Sequence, residues 1–173
     1  MSNDVLPVLF GGTDYIYGRL RDRLDGLTVD EYLWEPVGDV WSVRDRGGTW
    51  VVDGDHEERD PAPVTTIAWR MWHIADCLAS YVTPHFGDWP LEVTERDWYA
   101  DVKPAMTELA TSYQVFRDRI AALGEDGIWT KMGPAWGPYS EEPWAALVVH
   151  ALDELTHHGA EIALLRDLYA RLG

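Results

Sequence analysis

The sequence predicts an all-α protein, a four-helix bundle formed by a single domain that spans residues 1–173. Four stretches place apolar residues at the spacing of an amphipathic helix, and each is roughly 20 to 30 residues long, as bundle helices are. The connections between the first and second helices and between the third and fourth are long. Long connections permit crossovers and argue against an up-down-up-down bundle with tight turns.

The first helix is expected from Val5 to Leu24, with Asn3 or Asp4 as its N-cap, because a short polar side chain can accept from the free amides of the first turn. The segment "LTVDEYLW" follows. In it Thr28 stands three residues before Glu31, which is the capping-box pattern of a short helix.

Residues 37–63 read as irregular structure with a small hairpin. Two glycines separate the β-prone pieces "WSV" and "TWVV", and this arrangement is typical of two short strands joined by a turn. The loop is too long for a bare connector, and loops of this length often act as lids or pocket walls.

The second helix is expected over residues 65–82, with Thr65 or Thr66 as its cap after a proline. The third is expected over residues 102–123, with Asp101 as its cap. Both carry apolar residues on one face, which predicts that this face of each helix packs into the core.

The fourth helix is expected from Ser140, as its cap, to Leu172, and it contains the polar run "DELTHHGAE". His150, Glu154 and His158 follow one another at intervals of four residues. A four-residue step turns a helix by only about 40°. The three side chains therefore lie along one stripe, and Glu161 continues it.

A stripe of titratable groups beside a core is expensive to bury unless the groups are paired or bind a metal. A carboxylate and an imidazole four residues apart can bind one divalent ion, with His73 of the second helix as the best candidate for a third ligand. By spacing alone the imidazole beside Glu154 can be that of His158 or that of His150. The alternative is a solvated or hydrogen-bonded face, with His73 as a core histidine. Cys77 lies one turn beyond His73 and could touch the site, but it is interpreted as a small buried apolar residue.

Three segments, "LTVDEYLWEP…WSVR", "TTIAWRMWHIADC" and "HALDELTHHGAEIALLRDLY", resemble the DinB-like superfamily of metal-binding four-helix bundles. Its thiol-dependent members include the N-terminal domain of mycothiol-dependent maleylpyruvate isomerase and the bacillithiol transferases. The resemblance implies an up-down-down-up helix order. It also implies that His73, Glu154 and His158 are metal ligands, with Glu161 where many relatives have glutamine.

The function implied is a transferase or isomerase in which a divalent metal, zinc or nickel, activates a low-molecular-weight thiol such as mycothiol to attack a small electrophile. Trp69, Trp72 and His150 would line the pocket. One rival is a metal-assisted hydrolase with Glu161 or His157 as base. A second rival is a non-catalytic bundle that binds a metal or a small ligand. Several relatives dimerise, which suggests a homodimer.

The composition of the chain limits which binding partners and which cellular compartment are expected. The net charge of −16 repels phosphate backbones and anionic membrane surfaces, so nucleic acid and membrane are not expected partners. The single cysteine excludes an internal disulfide and fits a reducing compartment. The first residues do not read as a signal peptide, and no apolar run approaches the length of a membrane span. We therefore expect a cytoplasmic protein.

Overall fold

The computed structural model of the chain describes residues 4–54, 59–82 and 97–173. Four long helices dominate these residues, which confirms the all-α prediction. The elements follow one another as α1 (Leu6–Leu24), α2 (Val29–Tyr32), β1 (Val43–Asp45), β2 (Trp50–Val52), α3 (Ile67–Ser80), α4 (Val102–Ala121), α5 (Gly124–Gly127), a 3-10 helix (Pro134–Tyr139) and α6 (Trp144–Leu172).

Contacts between helices fix their directions, beginning with α1 and α6. Leu152, in the first half of α6, lies beside Gly12 of α1. Further along both helices, Arg23 of α1 donates a 2.6 Å hydrogen bond to the carbonyl of Ala163. Contacts that advance together along two helices show that α1 and α6 run parallel.

The other two long helices run the opposite way. The guanidinium of Arg117 lies over the ring of Phe10, whereas Tyr113, one turn earlier in α4, stacks on Tyr17 of α1 at 3.8 Å. The contact nearer the C-terminus of α4 is the one nearer the N-terminus of α1, so α4 runs antiparallel to α1. The pairs between α3 and α6, described below, make those helices antiparallel too. The bundle is therefore up-down-down-up, as the resemblance implies.

The core fills the space between the long helices. Each fully buried aliphatic or aromatic side chain contributes about 1.5–3 kcal/mol of transfer free energy. The largest of these are Leu24, Tyr32, Ile67, Met71, Ile74, Leu78, Leu109, Phe116, Ile120, Ile128, Leu155 and Ile162. No helix in the described ranges combines the length and the apolar character needed to cross a membrane.

The hairpin predicted in the first long connection is confirmed. Strands β1 and β2 pair antiparallel, and Gly47 and Gly48 in the turn have φ of +75° and +95°, a region that favours glycine. The residue after β2, Asp53, accepts a 2.8 Å hydrogen bond through its backbone carbonyl from Nε1 of Trp69. The hairpin is thereby fastened to α3.

Three predicted N-caps are confirmed. Thr28 and Thr66 accept hydrogen bonds from the amides three residues further on, and Asp101 accepts from the amide two residues further on. Each side chain satisfies an amide that lacks an intrahelical partner.

The cap predicted for α1 is wrong. The helix is preceded by Val5 rather than Asp4, and Asn3 lies outside the described residues. The free amides of Val5 and Leu6 instead donate to the carboxylate of Glu125, at 2.8 and 3.2 Å. A carboxylate is favoured at the positive end of a helix, and here it comes from α5.

The predicted start of α6 at Ser140 is also wrong, since the helix begins at Trp144. Pro143 precedes it in an extended conformation. A residue before proline is disfavoured in the helical region, so Glu142 stays outside the helix. Its carbonyl accepts a 2.9 Å hydrogen bond from the amide of Met132.

The side chain of Glu31 has a different role from the one that the capping-box pattern indicates. It is buried, with Oε1 2.7 Å from Nε and Oε2 3.1 Å from Nη2 of Arg166 in α6. Arg166 also donates to the carbonyls of Arg23 and Asp25. This ion pair ties α6 to α2 and to the turn that follows α1.

Replacing Glu31 with alanine should lower the free energy of unfolding by about 3 kcal/mol, because it leaves the largely buried guanidinium of Arg166 without its carboxylate partner. Urea denaturation measures this change. The matched control is Asp30→Ala, which removes an exposed acid from the same short helix and should change stability by no more than about 0.5 kcal/mol. Equal effects of the two substitutions would contradict the assignment.

Candidate metal centre

The three residues predicted as metal ligands meet between α3 and α6. Nε2 of His73 lies 3.3 Å from Oε2 of Glu154, and Nε2 of His158 lies 3.0 Å from the same oxygen. The two imidazole rings are perpendicular, with centroids 4.6 Å apart. Ring nitrogens from two different helices therefore contact the same carboxylate oxygen.

Helix geometry explains this convergence. Leu155 and Ile162 face the core from α6, and the four-residue step from Glu154 to His158 keeps both side chains on the neighbouring face. On α3, Ile74 is fully buried while His73 lies beside it at the edge of the core. The antiparallel packing of the two helices then brings His73 opposite Glu154.

Glu154 is a half-buried carboxylate surrounded by imidazoles. A third imidazole, that of His150, places Nε2 3.6 Å from Oε1. Among the residues that the structure describes, its hydrogen-bond and ion-pair partners are all histidines. Hydrogen bonds from His158 and His73 hold the pKa of Glu154 far below its usual range, although burial opposes this. The carboxylate is thus ionised, as a metal ligand must be.

Burial lowers the pKa of the His73 imidazole, although its hydrogen bond to Glu154 acts in the opposite direction. A neutral imidazole is the form that binds a metal. The chemistry of His73 therefore agrees with the ligand prediction.

The other nitrogen of His158 is held by Glu161. Nδ1 lies 2.7 Å from Oε2 of Glu161, and 3.2 Å from Nη1 of Arg70. We assign the proton to Nδ1, because the carboxylate is the closer partner and can only accept. Nε2 also carries a proton, which it donates to Glu154, and it is the nitrogen that would bind a metal after losing that proton, in the arrangement typical of metal-binding histidines.

Burial opposes a charge on His158, but hydrogen bonds to Glu154 and Glu161 outweigh it and raise the pKa of this histidine. A cation at the centre would therefore displace a proton from Nε2.

Arg70 is a site residue that the sequence reasoning missed. Its Nε lies 2.9 Å from Oε2 of Glu161, in an ion pair that is mostly buried on the arginine side. A local signal was a charged residue three positions before His73, in a mainly apolar helix whose other charged residue is Asp76.

A second compact group of donors consists of His157, His158 and Glu161. The guanidinium of Arg70 lies against this group and already supplies it with a positive charge. Coulomb repulsion by a guanidinium disfavours a metal ion at the same place. The side chains of this group are therefore better suited to positioning His158 than to binding an ion of their own.

The two residues predicted as catalytic candidates belong to this supporting group. Burial raises the pKa of Glu161, but the hydrogen bond from His158 and the charge of Arg70 outweigh it and lower the pKa. His157 is exposed, places Nε2 3.3 Å from Oε1 of Glu161, and stacks on His158. The structure thus places His157 against Glu161, not against Glu154.

Cys77 contacts the centre. Its Sγ lies 3.6 Å from Nε2 of His73, and the donor atoms of His73, Cys77 and Glu154 all lie within 4.8 Å of one another. Burial raises the pKa of the thiol to about 12. From the sequence, Cys77 could touch the site but is interpreted as a small buried apolar residue, and the structure shows the contact.

Trp69 and Trp72, which were predicted to line the pocket, lie against His73 in two different ways. Trp69 stacks on His73, with centroids 5.2 Å apart and planes 13° apart, and so limits the orientation of that ring. Trp72 is tilted at 6.1 Å from His73 and also lines a cavity of about 420 Å³ with Trp98 and Ser112.

His150, the third predicted pocket residue, connects the centre to another cavity. This cavity has a volume of about 290 Å³, is lined by Met132, Tyr139 and Leu147, and has His150 at its edge. The half-exposed ring of His150 also packs near Tyr81, at 5.3 Å. A small apolar cavity beside polar groups is typical of small-molecule sites.

The donor set fits a divalent metal. Ligand atoms at about 2.0–2.1 Å from a tetrahedral ion lie about 3.3 Å from each other. The observed distances of 3.3 Å and 3.0 Å to the Glu154 oxygen agree with that value. Two imidazoles and one carboxylate are also a recurrent ligand set of zinc enzymes.

Comparisons with known proteins agree with this description. The profile of the DinB superfamily matches residues 13–162, which include all three predicted ligands. A solved structure, described as a conserved protein of a locus from Enterococcus faecalis, is similar with a TM-score of 0.60 and 18% identity. The match covers 96% of this chain and 98% of that one, and at this identity it shows the fold alone.

A search of curated proteins finds no significant match. The superfamily match extends over most of the chain and spans all four long helices, from within α1 into α6. The superfamily is one of metal-binding proteins that includes thiol-related enzymes. The chain therefore belongs to the DinB superfamily.

Proposed function

We propose that this protein is a divalent-metal-dependent transferase or isomerase that uses a low-molecular-weight thiol, with His73, Glu154 and His158 as metal ligands. One observation carries the proposal: a half-buried carboxylate whose described partners are imidazoles from two different helices. Imidazole and carboxylate donors suit zinc and nickel.

The three side chains would leave the centre with a net positive charge, because only Glu154 is anionic. A divalent ion held there would stabilise a thiolate and so lower the pKa of a bound thiol. The net positive charge favours an anionic sulfur over a neutral one. The chain would thus ionise a thiol without using a cysteine of its own as nucleophile.

Glu161 and Arg70 serve as positioning residues in this proposal. Glu161 fixes the proton of His158 on Nδ1, and Arg70 fixes the Glu161 carboxylate. A carboxylate with a lowered pKa and a guanidinium partner is a poor general base. This argues against the hydrolase alternative in which Glu161 activates water.

The cavity beside His150 supports a small substrate. Its volume of about 290 Å³ and its apolar lining suit the hydrophobic part of a compact electrophile. His150 lies between this cavity and Glu154. An electrophile bound there would have its reactive atom directed towards the centre, which is the positioning that a thiol transfer needs.

Purified protein should hold about one divalent ion per chain, and Glu154→Gln should hold little or none, because it removes the anionic ligand. Elemental analysis after loading with zinc or nickel measures this. The matched control is Asp153→Asn, which neutralises the adjacent, exposed acid on the same helix. Equal metal content in all three proteins would show that Glu154 is not a ligand.

Glu161→Gln should bind the metal about 10–100-fold more weakly while keeping the stoichiometry, because it acts through the orientation of His158. A competition titration with a chelating dye gives the affinity. The exposed Glu141→Gln serves as the control for loss of a surface acid. An unchanged affinity in Glu161→Gln would remove the positioning role.

The thiol reaction is tested by mixing metal-loaded protein with mycothiol or 2-mercaptoethanol and a set of small electrophiles. We expect thioether formation that requires the metal and is lost in Glu154→Gln. Consumption of electrophile without thiol would indicate the hydrolase instead. Metal-loaded protein that turns over none of the electrophiles would favour the non-catalytic alternative.

A further inference from the structure

We infer that Cys77 is a fourth protein ligand of the metal centre, so that the chain itself supplies a sulfur donor to the ion. This inference rests on the proposed function because it concerns the same ion. It assigns a chemical role to a residue that the sequence placed within reach of the site but favoured as a small apolar side chain.

The sulfur of Cys77 lies at a ligand's distance from His73. Cys77 lies one helical turn beyond His73, and its Sγ is 3.6 Å from Nε2 of that residue. A sulfur at about 2.3 Å and a nitrogen at about 2.0–2.1 Å from a tetrahedral ion lie about 3.5 Å from each other. The sulfur thus has the separation from His73 that two ligands of one ion would have.

Donor atoms from α3 and α6 lie around the sulfur of Cys77. The cysteine does not stand alone, because the donor atoms of His73, Cys77 and Glu154 lie within 4.8 Å of one another. Glu154 in turn contacts Nε2 of His158 at 3.0 Å. One sulfur, one nitrogen and one carboxylate oxygen thus lie close together, and the Nε2 of His158 joins them through its contact with Glu154.

The buried sulfur of Cys77 has polar neighbours. Cys77 is 7% exposed, and its polar neighbours include the imidazole of His73 and the side chain of Tyr81, to which it is hydrogen-bonded. A hydroxyl that donates to a ligand sulfur is a common supporting contact in metal sites. Cys77 also packs in the apolar core, so its polar contacts, rather than its burial, distinguish it from a cysteine that serves only as packing.

Charge balance agrees with this assignment. The thiol would release its proton to solvent on binding the ion, because the thiolate is the form that ligates. A divalent ion with the Cys77 thiolate and the Glu154 carboxylate carries no net charge. A neutral centre is less costly to bury than a charged one.

Two consequences follow. Four protein donors would fill a tetrahedral centre and cancel its charge, so a small thiol would have to displace Cys77 from the ion. The proton of the small thiol would pass to the released Cys77 sulfur, and the centre would regain the net positive charge that stabilises the new thiolate. A sulfur ligand also favours ions such as zinc and cobalt over magnesium and manganese, which prefer oxygen.

Cobalt(II) provides the test, because thiolate-bound cobalt absorbs in the near ultraviolet through charge transfer. The full chain is loaded with cobalt in buffer free of thiols. We expect this band in the wild-type protein. Cys77 is the only cysteine of the chain, so no other thiolate can produce the band. Cys77→Ser should lose the band while still binding about one cobalt through its remaining ligands.

The outcomes separate the two proposals. Wild-type protein that binds cobalt without the band would overturn the role of Cys77 and leave the other three ligands standing. Wild-type protein that binds no cobalt would overturn the metal centre itself. In Cys77→Ser, a band that appears when 2-mercaptoethanol is added would support binding of an external thiol at the vacated position.

A second measurement needs no variant. Wild-type Cys77 is titrated with a thiol-reactive dye, with and without zinc. If the sulfur is a ligand, zinc should slow the reaction by at least tenfold. An unchanged rate, with zinc bound at about one ion per chain, would contradict the inference even if Cys77→Ser failed to fold.

Discussion

The centre depends on one constraint: an ionised carboxylate, Glu154, is enclosed between two packed helices. A buried charge is costly unless partners compensate it. Here the compensation comes from imidazoles, and His73 can reach Glu154 only because α3 packs antiparallel to α6. The up-down-down-up order makes these helices neighbours. It also requires long connections, one of which supplies the hairpin that anchors Trp69 over His73.

Glu154 and Glu161 are similar in their spacing to histidines along α6, but α3 gives the two carboxylates different surroundings. Each acid lies four residues from a histidine, Glu154 before His158 and Glu161 after His157, so spacing along α6 does not rank them. The difference comes from α3, which presents an imidazole to Glu154 and a guanidinium to Glu161. The first environment suits a cation, whereas the second already contains one.

Much of the architecture could be predicted from the sequence because its signals are local. Helical periodicity, short polar caps and a Gly-Gly turn act within a few residues, and they gave the four long helices, three caps and the hairpin. The stripe on α6 and the opposing His73 were also accessible, through spacing and a family resemblance. What the sequence could not supply were pairs between distant segments. Arg70 with Glu161, and Glu31 with Arg166, leave no pattern at either end.

The cap of α1 has a consequence for how the chain reaches its folded state. The amides that open this helix are satisfied by Glu125, which follows them by about 120 positions. A nascent chain emerges from the ribosome in order, so the first turn of α1 has no carboxylate partner until α5 has been made. Assembly of the bundle and completion of its first helix are therefore late, coupled events. An isolated N-terminal half would lack the group that finishes its own opening helix.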